Sequence, residues 1–158
     1  MDPDKLVREQ LLFLLGGGNA HMSFDQAVAE FPLEYINRLP PNVPYTPWHL
    51  LEHMQIAQRD ILEFIRNPEY LSPEWPEGYW PPQDEQADEI RWEQTLHDFR
   101  ADLRALQEMV EDPGIDLFAP LPHAQDYTVL REILVVADHN AYHIGEFAIL
   151  RQVMETWP

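Results

Sequence analysis

Cysteine is missing from the 158-residue chain. That excludes disulfides, thiolate metal ligands and a cysteine nucleophile. Any chemistry must use histidine, carboxylates, hydroxyls or a reagent supplied from outside. Basic residues are scarce, with 10 Lys and Arg against 28 Asp and Glu and a net charge of −18. Such a surface repels phosphate backbones and anionic lipid, so nucleic acid and membrane surfaces are poor partners. The same field attracts cations, although the ordinary place for any single Asp or Glu is a solvated surface. Long apolar runs are also lacking. No stretch approaches the length that crosses a bilayer, and "MDPDKLVREQ" at the start is too acidic and polar for a signal peptide. We therefore expect a soluble, cytoplasmic protein. No segment alternates convincingly enough for a strand, and no internal repeat is visible. The triple glycine Gly16 to Gly18 has no preceding strand and no following Lys-Ser/Thr, so it reads as a helix terminator rather than a phosphate loop.

What is present is material for one helical core. Hydrophobic residues make up 45% of the chain, including five Trp, seven Phe and six Tyr, which suits a single globular domain over residues 1–158. Asp2 caps a helix over 3–15 with Pro3 in its first turn, and residues 1–22 form an N-terminal helical extension. "SFDQ" is a capping box that opens a helix from Ser23 to about Phe31, with a further turn through Asn37. The extended connector "RLPPNVPYTP" leads to Thr46, which caps a helix from Pro47 to Arg66. Its apolar stripe is Leu50, Met54, Ala57, Ile61, Phe64 and Ile65.

Residues 67–83, "NPEYLSPEWPEGYWPPQ", hold five prolines, two tryptophans and two tyrosines. No regular element tolerates so many prolines. The aromatics argue for an ordered loop packed over the end of the domain, either covering core or walling a pocket, and covering core is the commoner outcome. A helix over 84–111 follows, with Ile90, Leu96, Phe99, Leu103, Leu106 and Val110 facing inward. A loop then leads to a last helix, capped by Asp126 or Thr128 and running to about Met154. This arrangement implies an all-α protein, an antiparallel four-helix bundle with extra turns.

Seven histidines fall in the chain, and two pairs stand four apart: His49/His53 and His139/His143. Composition alone gives about 0.3 such pairs by chance. Residues at this spacing share one helix face, so two imidazoles can chelate one cation while a neighbouring helix adds a third ligand. The plain alternative is that each is a core histidine bonded to a carbonyl or carboxylate. Two unligated imidazoles in a core, however, leave several ring nitrogens in need of partners. There is no HExxH, as a zincin protease requires, and no Glu stands three residues before a His, as di-iron bundles require. His21, His97 and His123 receive no role.

"TPWHLLEHMQIAQRDILEF" followed far downstream by "YTVLREILVVADHNAYHIGEFAILRQ" resembles the DinB-like (DinB/YfiT) superfamily of small bacterial four-helix proteins. In that family the last helix carries His-x-x-Tyr-His, then a residue, Gly, and Gln or Glu; here these are His139, Tyr142, His143, Gly145 and Glu146. An earlier helix carries one His after a leucine-rich turn, matching His53 in "LLEHM". The likeness spans about residues 23–154, with 67–83 as an insertion. It implies a divalent metal, commonly zinc or nickel, held by His53, His139 and His143 with open positions for water. It also implies thiol-dependent transferase or isomerase chemistry using a low-molecular-weight thiol, and frequent homodimers, but no DNA binding. His49 departs from the pattern. We expect it beside the ligands or exposed at the helix start rather than as a fourth ligand, and Asp138 and Glu52 as no more than weak outer neighbours. Three functions follow for comparison: a metal-dependent transferase, isomerase or hydrolase, a non-catalytic metal-binding or sensing bundle, and a structural bundle with core histidines.

Overall fold

The computed structural model describes residues 2–158, which are mostly helical. There are five α-helices: α1 (Pro3–Gly16), α2 (Phe24–Val28), α3 (Pro47–Arg66), α4 (Glu89–Glu111) and α5 (Val129–Met154). A small antiparallel hairpin, β1 (Pro120–Leu121) and β2 (Ala124–Thr128), precedes α5. Short 3₁₀ turns cover Leu33–Tyr35 and Glu77–Tyr79.

Local chemistry sets most of the helix starts. Asp2 accepts from the Asp4 amide before α1, and Ser23 and Gln26 form a reciprocal capping box on α2. Thr46 and His49 do the same on α3, with Pro47 in its first turn. Thr128 caps α5 through the Arg131 amide. α4 begins at Glu89, not at residue 84, because Asp88 supplies the cap and Ala87 is held outside the helix. The Asn37 side chain takes both the Ala87 amide and its carbonyl. With that start, Ile90 is exposed at 79% and Trp92 takes the inward position. On α3, Ile61 and Phe64 are half-buried, while Leu51 and Leu62 lie fully inside. The hairpin escaped the sequence reading because "AQDYT" has no apolar alternation and is mostly exposed.

The directions of the helices follow from their bonds. From α3 to α4, Glu52 meets Thr95, Gln58 meets Phe99 and Arg59 meets Asp102. The offset is nearly constant, so the two helices run the same way. From α3 to α5, His53 meets His143 and Gln58 meets Asn140; contacts step back along α5 as they advance along α3, so these run oppositely. Alternating directions therefore hold for α3 against α5 and not for α3 against α4. A helix of 20 residues spans about 30 Å, and the chain from 67 to 88 must cover that length again before α4 starts. α1 packs on α4 and α5. Its Arg8 donates to the carbonyls of Val110, Asp112 and Ile115, and Leu11 and Leu15 are buried.

The interior has two apolar halves. One gathers Trp48, Met54, Phe99, Ile144 and Phe147; the other gathers Leu11, Leu62, Leu106, Ile133 and Val136. Between Met54 and Leu62 on α3 lies Gln58, 1% exposed. It donates to the Phe99 carbonyl at 2.8 Å and accepts from Asn140 at 2.9 Å. This amide pair joins all three long helices beside the histidines. The bond between the two uses Asn140 Nδ2; Asn140 Oδ1 has no partner among the described residues. Replacing Gln58 by Ala thus opens a cavity and strips the Asn140 amide of its bond. The expected cost is about 2–4 kcal/mol in urea unfolding, seen as a lower midpoint at unchanged slope. A loss under about 0.5 kcal/mol would show that the pair does not hold the helices in place.

Candidate metal centre

His53 projects from α3 one turn beyond His49, and His139 and His143 project from α5 one turn apart. The fold brings these three together. His53 Nε2 lies 3.1 Å from His143 Nε2 and 3.2 Å from His139 Nε2. One ligand atom from each ring falls within 4.8 Å of the other two. His53 and His143 are buried and His139 is half-buried. The other histidines are elsewhere: His21 at the Met22 carbonyl, His97 on an exposed face beside Asp98, and His123 at the Phe64 carbonyl.

The outward nitrogens decide what the inward ones present. His53 Nδ1 is 2.8 Å from the Tyr79 carbonyl oxygen. A carbonyl only accepts, so Nδ1 carries the hydrogen, and a neutral ring then offers a lone pair at Nε2. His143 Nδ1 is 2.7 Å from Glu146 Oε2, and the carboxylate fixes the same tautomer. Two lone pairs consequently face each other at 3.1 Å, an arrangement that calls for a cation between them. A proton is a poor candidate. Burial, with the charges of His143 and His53 adding to it, pushes His139 down to about 3. Burial and His53 push His143 down to about 4, and burial lowers His53 as well. Zinc–nitrogen bonds in a tetrahedral site place two ligand nitrogens roughly 3.3 Å apart, close to the separations found here. The donor set thus fits a divalent ion, and the three histidines could hold one.

The walls come from outside the bundle helices. The Trp80 ring stacks on His53 with centroids 3.9 Å apart and planes within 3°. Tyr45 packs 5.1 Å from Trp80. Burial first, then the Glu146 charge, pushes the Tyr45 phenol up to about 12. Tyr142 meets the His143 ring edge-on and is exposed. The proline-rich loop therefore does more than cover core: its Glu77–Trp80 portion forms one side of the site. The Tyr79 hydroxyl anchors it by donating to Asp60 at 2.7 Å. Trp75 and Leu71 of the same loop point to solvent.

His49 is buried, not exposed at the helix start. Its Nδ1 accepts from the Thr46 amide and its Nε2 donates to the Glu85 carbonyl at 2.9 Å. Both nitrogens are used, and the ring lies outside the three-histidine cluster. The signal was its place three residues after a Thr cap, where Glu or Gln normally completes the box. Glu52 faces α4, bonding Arg91 and Thr95. Asp138 is exposed and touches the site only through its charge on His139. Sequence reasoning gave Glu146 no role of its own, although a position three after His143 shares its helix face. Nothing in the sequence marked the Tyr79 carbonyl or Trp80 as neighbours of His53.

These histidines have folded-state pKa values below their ordinary 6.5. The unfolded chain then binds more protons in acid. Their contribution to stability is complete above about 6.5 and is lost as pH falls through about 4 and 3. In metal-free protein, the wild type is expected to lose more stability between pH 7 and 4 than His139→Gln/His143→Gln does, by thermal unfolding in chelator. Equal losses would contradict neutral burial. Comparison of the chain with protein-family models, with curated proteins and with solved structures finds no match, so the arrangement of these side chains carries the functional reading.

Proposed function

We propose that the protein is a divalent-metal enzyme of the DinB-like type, a four-helix bundle holding one zinc or nickel ion on Nε2 of His53, His139 and His143. The observation that carries this is the convergence of three ring nitrogens, two of them stripped of protons by the Tyr79 carbonyl and Glu146 on the far sides of their rings. A divalent ion held by three neutral imidazoles keeps its full charge and can lower the pKa of a bound water or thiol towards neutrality.

The chain's own residues supply orientation and shielding. Tyr79 and Glu146 hold two rings in one tautomer, and Trp80 covers a face of His53. His49 is committed to the helix cap and the Glu85 carbonyl, so three protein nitrogens are offered and not four. That count favours an open, catalytic site over a closed structural or sensing one. With no cysteine in the chain, thiol chemistry would draw on a low-molecular-weight thiol from solution. Transfer or isomerisation with such a thiol, or hydrolysis, are the reaction classes this site suits.

Protein purified after metal-replete expression should carry about one equivalent of divalent metal by elemental analysis. His53→Gln and His143→Gln should fall to background, while His49→Gln keeps its metal. Less than about half an equivalent in the wild type would remove the proposal. X-ray absorption should show three imidazoles and a further light-atom ligand; a fourth protein nitrogen would point to a closed site.

A further inference from the structure

The two ligands from different helices are each held from the outside. His143 Nδ1 bonds Glu146 at 2.7 Å. His53 Nδ1 bonds the Tyr79 carbonyl at 2.8 Å. The Tyr45 ring packs against Trp80, and Trp80 stacks flat on His53. The two Nε2 atoms meet at 3.1 Å. Tyr45 lies in the connector before α3, Trp80 in the loop after it, and Glu146 on α5. Three separate segments thus fix the relative attitude of two rings.

We infer that Glu146 is the positioning residue that sets the metal affinity of this site, by holding the His143 ring with Nε2 turned inward. The inference rests on the metal reading above. Glu146 itself is no ligand, because it sits at Nδ1, across the ring from the inward Nε2. An imidazole without an outer acceptor can rotate or take the other tautomer, which places a hydrogen where the lone pair is needed. A charged acceptor at 2.7 Å prevents both and makes His143 a stronger donor. His139 Nδ1 has no comparable outer acceptor among the described residues, so the site relies on the other two rings.

The test is the dissociation constant of Zn²⁺, measured by competition with a chromophoric chelator on the 158-residue chain, with the visible spectrum of the Co²⁺ form as a geometric readout. Glu146→Ala should weaken binding about 10–100-fold and alter the Co²⁺ bands. Glu146→Gln keeps an acceptor oxygen without the charge and should recover part of the loss. Circular dichroism of each variant checks that the fold is kept, and Glu146→Gln serves if Glu146→Ala does not fold. A wild-type chain that takes up no ion overturns both readings. A stoichiometric wild type with Glu146→Ala or Glu146→Gln affinity within about twofold overturns this one alone.

Discussion

The structure turns on two nitrogen lone pairs that face each other across a gap too short to be left empty of positive charge. His53 and His143 reach that position because their outer nitrogens are engaged, one by a main-chain carbonyl and the other by a carboxylate. Burial removes the simplest remedy, which is to protonate one ring. An apolar core would avoid the problem by using leucine at these positions. A chain that instead carries three imidazoles there, two of them with outer partners in place, bears a local cost that a cation held between the rings would offset.

The crossover between α3 and α4 is what makes the site possible. Because those helices run alongside in the same direction, the chain must travel back along the domain before α4 can start. The returning segment passes the histidines, and its prolines keep it from folding into a helix of its own. It is then tied at Asp60 by Tyr79, at His49 through the Glu85 carbonyl, and at Asn37 through Ala87. Each tie uses a polar group that would otherwise be buried without a partner. The loop becomes a wall because topology routes it there and hydrogen-bond accounting holds it there.

Much of this was legible in the sequence, and the reasons differ by feature. Helix starts at Pro3, Phe24 and Pro47 were visible because Asp2, Ser23 and Thr46 act over three or four residues. The His139/His143 pair was visible because helical periodicity is local. The joining of His53 to that pair rested on resemblance, since a contact between residues 90 positions apart leaves no trace in a single sequence. The same limit hid the Tyr79 carbonyl, a group every residue possesses, and Trp80, one aromatic among several in its loop. His49 misled for a physical reason: its pairing with His53 at the spacing of a chelate coincides with the third position of a capping box. Ile90 misled because the inward face runs through Trp92, Leu96 and Phe99 at spacings of four and three, and Ile90 falls outside that register.

The Gln58–Asn140 amide pair has a further consequence. Two apolar helix faces can slide past each other with little penalty, but a buried amide bonded across the seam accepts one vertical setting. Gln58 is also fastened to the Phe99 carbonyl, so three helices share the same detent. The mouth that the imidazoles form is therefore of fixed gauge. An ion that needs bonds of about 2.3–2.6 Å, as calcium does, would have to wedge the detent open, whereas one content with about 2.0–2.1 Å leaves it seated. On the proposed metal reading, size discrimination would begin at an amide that never touches the ion.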